Sequence, residues 1–194
     1  MNFADNIILE NETVLLRPLK KKDYNFFKDI AFHPEIWKFN VTSASNKNEL
    51  QKWIENSLES KKNNLRYPFT IVDKKSEKVF GSTSIGNISL KDKRAEIGWT
   101  WLGLEFQGTG INKHCKFLLL QYLFEQLKFE RVEFKTDALN LKSRRALQKI
   151  GAKEEGILRS HTLMHDGRRR DTVYYSILKD EWQSIRKDIF QQTD

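Results

Sequence analysis

Apolar positions along this chain recur at two spacings. Thr13 to Leu19 is β-prone, and Pro18, which cannot donate to a sheet ladder, marks its end as a strand entering a turn. From Lys21 to Phe32, the residues Phe26, Phe27, Ile30 and Ala31 fall at helical spacing, and Leu50, Trp53, Ile54 and Leu58 do the same in the next segment. Both segments are expected to be amphipathic helices. Between them, His33-Pro34-Glu35-Ile36-Trp37 reads as a loop, because Pro34 cannot continue the first helix. Trp37 brings a large amphipathic ring into that loop, either as the floor of a substrate pocket or as a core anchor.

Three β-like runs follow, Tyr67 to Asp73, Val79 to Leu90 and Arg94 to Leu102, joined by Lys/Asp/Ser/Glu turns in the pattern of an antiparallel meander. In the third run Ala95, Ile97, Trp99 and Trp101 alternate with Arg94, Glu96, Gly98 and Thr100, which assigns the four apolar residues to one face. After a glycine-containing turn, Asn112 to Leu127 reads as a helix whose buried stripe is Cys115, Leu118, Leu119, Tyr122 and Leu123. Arg131 to Asp137 is a strand. Lys142 to Ile150 is a helix, with Asn140 near its entrance as a cap and Gly151 at its exit, and Val173, Tyr175 and Ile177 mark a last strand. The order is mixed α/β (α+β), with strands grouped before a β-α-β-α-β ending.

With 194 residues, three prolines, no repeat and no linker-like tract, the chain is expected to form one domain over 1–194. Its 39% hydrophobic and 31% charged residues argue for a packed core and against extended disorder. The formal charge of +8 favours anionic partners: nucleic acid, acidic protein or a polyphosphate cofactor. The runs Lys20 to Lys22 and Arg168 to Arg170 read as solvated surface. One cysteine cannot close an intramolecular disulfide, Met1 to Glu10 lacks a signal-peptide core, and no apolar run approaches the ~20 residues that cross a bilayer. A cytoplasmic protein without membrane partners is expected.

The chemistry concentrates in Trp99 to Asn112, where a strand, a glycine turn and a helix start follow in order. Gly108 and Gly110 let the backbone approach an anion, and the helix behind them presents unpaired N–H groups and a positive dipole end. A pyrophosphate fits that cup, although two glycines in a turn need only positive φ angles to justify them. The third glycine of a dinucleotide fingerprint is missing, since Lys113 and His114 stand there, and the Gly-Lys-Ser/Thr of a Walker loop is absent.

Gln107-Gly108-Thr109-Gly110-Ile111-Asn112 resembles the Gln/Arg-x-x-Gly-x-Gly/Ala signature of the GNAT superfamily of acyl-CoA N-acyltransferases, with Asn112 in place of the final small residue. Asn140 to Leu147 followed by Ile150-Gly151-Ala152 is similar to the corresponding region of the RimJ/RimL type, the ribosomal-protein-alanine acetyltransferases. Gly156 to Arg159 and Tyr174 to Ile177 are similar to that branch's carboxy-terminal strands. The likeness runs from about Thr13 to Trp182. It implies a bent mixed sheet with helices on both faces, split in a V where acetyl-CoA enters. Trp101 and Leu102 would offer backbone groups to the pantetheine arm, Gln107, Gly108, Thr109, Gly110, Ile111 and Asn112 would hold the pyrophosphate, and Asn140 with Ser143 would sit near the thioester sulfur. Gly98 marks a bulge between the strands or is a plain strand glycine.

The expected reaction is direct transfer of acetyl to a primary amine in a ternary complex. An alkyl amine has a pKa near about 10.4 and an α-amine near about 8, so the acceptor must lose a proton before it attacks. Glu96, on the strand face opposite Ala95, Ile97 and Trp99, is the candidate base; its plain role is an exposed glutamate paired with Arg94 or a lysine. Ser143 is the candidate donor to the departing thiolate by resemblance, and otherwise a capping residue. Cys115 lies four residues after Ile111 on the apolar stripe and reads as a core cysteine rather than an acyl carrier. His161 and His165 lack a further ligand cluster, so no metal is expected. The acceptor is a protein N-terminus or a small amine, and the protein a monomer or homodimer, with nucleic acid met only through the ribosome. A second reading is a non-catalytic basic RNA- or ribosome-associated module on the same fold.

Overall fold

In the computed structural model, which describes residues 1–191 and 193, eight strands form one sheet: Leu9–Glu10 (β1), Val14–Pro18 (β2), Arg66–Asp73 (β3), Val79–Ser89 (β4), Arg94–Leu102 (β5), Arg131–Asp137 (β6), Lys153–Leu163 (β7) and Arg169–Leu178 (β8). Six helices accompany them: Tyr24–Ala31 (α1), Pro34–Trp37 (α2), Lys47–Lys62 (α3), Ile111–Gln121 (α4), Leu141–Lys149 (α5) and Lys179–Ile189 (α6). The strand order is β1-β2-β3-β4-β5-β6-β8-β7. Every neighbouring pair is antiparallel except β5 and β6. Those two run parallel for three residue pairs, from Arg94 opposite Arg131 to Glu96 opposite Glu133, and then lose pairing. The sheet is therefore split beyond Glu96.

Alternation along the strands assigns each face its own core. Ala95, Ile97, Val132, Phe134 and Tyr175 pack with Cys115, Leu118 and Leu119 of α4, Leu147 of α5 and Trp182 of α6. On the opposite face Val72 and Trp101 pack with Phe27, Trp37, Leu50, Trp53 and Ile54 from α1, α2 and α3. Asn46 starts α3 by accepting a hydrogen bond from the Glu49 N–H at 3.0 Å, satisfying one of the donors a helix start leaves open.

Three features depart from the sequence expectations. Pro34 does not merely stop α1; at the first helical position, where the missing N–H costs nothing, it begins the single turn α2. The expected helix over 112–127 ends as α4 at Gln121 and closes with a π turn over Tyr122–Gln126. Most consequential is β5. From Gly98 to Trp101 there are three steps, while the paired residues of β4, Ser84 to Ser82, span two. The extra residue is a bulge. Trp99 occupies it at φ 51°, its ring lies against Gly86, where a Cβ would stand 2.7 Å away, and the Arg66 guanidinium covers it at 5.2 Å from the ring centroid. Trp101 consequently joins the α1–α3 face, opposite to Ala95 and Ile97, rather than sharing theirs.

Candidate active site

The turn before α4 holds its shape through its glycines. Gly108 and Gly110 have φ of 83° and 92°, and a Cβ on either would meet no atom within 4 Å. Conformation, not space, calls for glycine here. Gly110 is the N-cap of α4 and supplies no side-chain cap. Among the described residues, the N–H groups of Gly108, Thr109, Gly110, Ile111 and Asn112 have no protein acceptor. They are a run of open donors at the positive end of a helix dipole. Ile111, 8% exposed, anchors this turn in the core, and the Thr109 hydroxyl donates to the Phe106 carbonyl at 2.8 Å. The Asn112 Oδ1 is buried without a partner.

Gln107 ties the turn to its surroundings. Its Nε2 donates to the Leu102 carbonyl at 3.1 Å, and its Oε1 accepts from Lys142 Nζ at 2.7 Å. The end of β5, the glycine turn and the start of α5 are thus clasped together, with the Lys142 charge beside the free N–H groups. Leu102 already has an intramolecular donor on its carbonyl, whereas Trp101 presents a buried indole N–H with no partner. At α5, Asn140 is the cap, accepting from the Ser143 N–H at 3.0 Å. Among the described residues the Ser143 hydroxyl has no hydrogen bond, so capping does not account for it.

Across the split, on the α1–α3 face, stands Glu96, which is 6% exposed. Its Oε2 accepts from Asn87 Nδ2 and from Lys135 Nζ, both at 2.7 Å. Burial is the largest single influence and works against the Lys135 charge, but the hydrogen bond to Glu96 and the attraction of Glu96, Tyr174 and Glu133 together outweigh it, and the lysine pKa is raised. The other oxygen, Oε1, has no protein donor among the described residues and lies 3.0 Å from where a Cβ of Gly98 would be. Gly98 thus leaves room for the free oxygen, and the bulge begins one residue later. Glu96 and Trp99 share this face, contrary to the sequence expectation, because the bulge reverses the alternation; Glu96 is paired with a lysine, as its plain reading holds, but is buried rather than exposed.

The wall continues on β8 and β7. Lys135 lies 5.0 Å from the Tyr174 ring, and the His161 ring meets Tyr174 edge-on. Arg168 pairs with the fully buried Asp137, Arg169 bonds Ser160, and Arg170, 8% exposed, donates to Thr172 at 3.0 Å. Of the arginine run, Arg170 is buried and Arg168 half-buried in this wall, while Arg169 is exposed as the sequence suggests. His165 contacts the Trp37 carbonyl at 3.2 Å, tying the β7–β8 hairpin to α2, whereas His161 bonds Thr172. Trp37 itself is a core anchor: its ring is 2% exposed, touches Trp53 and Trp101, and its N–H donates to the Ala31 carbonyl at 2.8 Å. A ring so enclosed does not floor a substrate pocket. Cys115 is fully buried, and burial pushes its thiol up to about 12, which leaves no thiolate for acyl transfer.

Two residues beside the split escaped the sequence reading. Lys135 reads as one of the charges alternating on a strand, and nothing in its spacing reveals Glu96 opposite. Lys116 carried a signal: a lysine in front of the apolar run Phe117 to Leu120 on a helix that the fold buries almost all round.

Comparison with known proteins bears on this geometry. Residues 13–153 match the acetyltransferase (GNAT) domain family. Bacillus subtilis YdaF, named as a proposed ribosomal N-acetyltransferase, is 40% identical over 103 residues; the alignment covers 53% of this chain and only 55% of YdaF. A GCN5-related N-acetyltransferase structure from Brucella melitensis superposes with a TM-score of 0.90 at 25% identity, covering 98% of this chain and 86% of that one. Mycobacterium smegmatis RimJ, solved in complex with CoA-disulfide, shares the fold with a TM-score of 0.76 at 21% identity, over 91% of this chain and 88% of RimJ. By the length of the domain match and the agreement of the whole fold, the chain belongs to the GNAT family of acetyltransferases.

Proposed function

We propose that this protein transfers the acetyl group of acetyl-CoA to a primary amine, the coenzyme entering from the α4–α5 side of the split and the amine from the α1–α3 side. One observation carries the reading: the N–H groups of residues 108–112 have no protein acceptor among the described residues, and they follow the half of β5 that has left β6. Gln107, Gly108, Thr109, Gly110, Ile111 and Asn112 would hold the diphosphate, with Lys142 adding charge, and the free edge of β5 at Trp101 and Leu102 would receive the pantetheine arm. Acetyl-CoA supplies an activated acyl group.

The protein's own residues then handle protons and charge. Glu96 Oε1, free of protein donors while Oε2 is anchored by two, is placed to accept a proton from the incoming amine through water. Ser143, whose hydroxyl is uncommitted, donates toward the departing sulfur. Asn140 fixes the turn of α5 that presents Ser143. The acceptor is a protein N-terminus or a small amine. The competing reading, a basic RNA-associated module, rests on the +8 charge, and within the run 168–170 it is left with Arg169 as the exposed arginine, since Arg168 and Arg170 are engaged in the wall. Thiol release from acetyl-CoA, followed over a panel of peptides and small amines, tests the proposal. Release dependent on at least one amine is expected; none across the panel, together with salt-sensitive RNA binding, would favour the module instead.

A further inference from the structure

Lys116 is the only lysine among the described buried residues, at 5% exposed. Its Nζ donates to the Thr100 hydroxyl at 2.9 Å and lies 5.9 Å from the centre of the Phe134 ring. Thr100 belongs to the bulged half of β5 and Phe134 to β6 just past the last paired residue, so the ammonium bridges the two strands where they part. It rises from the α4 side, the same helix whose first turn carries the free N–H groups. No described carboxylate comes within ion-pair distance of it. Burial pushes its pKa down to about 8, with Cys115 and Glu96 as the nearest opposing influences.

An ammonium buried without a counter-ion is costly to the fold. Nor does the fold need this one, because the Thr100 hydroxyl already has the Thr83 hydroxyl at 2.8 Å as a partner. A methionine would keep the length and the apolar contact with Phe134 without leaving a polar group orphaned. A cation kept at such a cost where β5 and β6 part points to an anion that arrives there only during turnover.

We propose that Lys116 is a catalytic residue that meets the negative charge developing on the sulfur of acetyl-CoA. The inference rests on the acetyl-transfer reading above. In balance, the amine lone pair forms the N–C bond, the C–S bond breaks with its electron pair passing to sulfur, and the amine's surplus proton leaves through water and Glu96. Lys116 keeps its own proton and, beside the Ser143 hydroxyl, holds the thiolate by a charge-assisted hydrogen bond until CoA departs and is protonated by solvent. Base and cation thus work from opposite faces of one strand: Glu96 before the bulge toward the amine, Lys116 through Thr100 after it toward the sulfur.

The test uses CoA itself and needs no acceptor. Thiolate absorbance of bound CoA is titrated against pH in the wild type, Lys116→Met and Thr100→Val, subtracting protein without CoA; Cys115, held near 12, stays silent across the range. The wild type should lower the CoA thiol pKa by a unit or more from its ordinary value near about 8.5, a tenfold or greater rise in acidity. Lys116→Met should return it to that value or above. Thr100→Val, which keeps the cation but removes its anchor, should give an intermediate shift and also serves if Lys116→Met fails to fold. A bound thiol that is unshifted, or shifted equally in Lys116→Met, overturns this inference alone. Failure of CoA to bind the wild type at millimolar concentration overturns the proposed function with it.

Discussion

The two halves of β5 obey different rules. From Arg94 to Ile97 the strand alternates, Glu96 pairs opposite Glu133 on β6, and apolar residues go to the α4 face while Glu96 goes to the other. From Gly98 to Leu102 one extra residue reverses the alternation, Trp101 enters the ring cluster of Phe27, Trp37 and Trp53, and pairing to β6 is gone. The first half makes a sheet and the second an opening. The difference teaches that a single inserted residue can both re-aim side chains and leave backbone groups available for a ligand. The bulge is held by weight on both sides: Trp99 against Gly86 and Arg66 on one, Thr100 with Thr83 and Lys116 on the other.

Substitutions can break either half, and their expected sizes differ. In the straight half, Glu96→Gln keeps the shape and the Asn87 contact but removes proton acceptance. Turnover in the thiol-release assay should fall about 10²- to 10⁴-fold, with little change in acetyl-CoA affinity. In the kinked half, Trp101→Ala empties the centre of the ring cluster and should cost about 3–5 kcal/mol in urea unfolding, as large aromatic truncations do. A much smaller loss would contradict its place at the centre of that cluster.

Beneath the bulge, Lys116→Met should raise stability. Lys116 holds its proton less well folded than unfolded, so its penalty is complete below about pH 8 and fades as pH rises toward 10.5. Relief of about 3 kcal/mol at pH 7 is expected. The wild type should gain on the variant's curve between pH 8 and 10.5, and two parallel curves would contradict the buried cation. Away from the comparison, Asn140→Ala removes only a helix cap and should cost about 1 kcal/mol, readable as a small drop in melting temperature.

Much of this architecture is legible in the residues. β3, β4, β5 and the strand Arg131–Asp137 are legible as β-prone runs bounded by turns although the fold covers both their faces, and the helices around Leu50 and Leu118 follow from helical periodicity. Three elements do not. β7 is an edge strand exposed along almost its whole length, so nothing forces its residues to alternate. β1 is two residues long. Lys179–Ile189 carries a helical signal in Trp182, Ile185 and Ile189 that goes unread behind the last strand.

The turn of the candidate site was legible in sequence, and the strand geometry beside it was not. Gln107 to Asn112 declares a tight turn before a helix, and Gly108 and Gly110 do adopt the left-handed conformations that only glycine takes cheaply. The bulge was hidden, since Ala95, Ile97, Trp99 and Trp101 alternate in the sequence as a regular strand would; only the register against Ser82 and Ser84 reveals the extra residue. Trp37 shows the converse, a residue whose type suits either pocket or core and whose place only packing decides.

Calorimetric titration of the wild type with acetyl-CoA, side by side with S-acetylpantetheine, which lacks the diphosphate, bears most directly on whether the 108–112 amides form a phosphate cradle. Hydrogen bonds to a charged group contribute about 1.5–3 kcal/mol each, so two or more of them should make acetyl-CoA bind at least about a hundredfold more tightly. Equal affinity for the two ligands, or no heat from either at millimolar concentration, would contradict it.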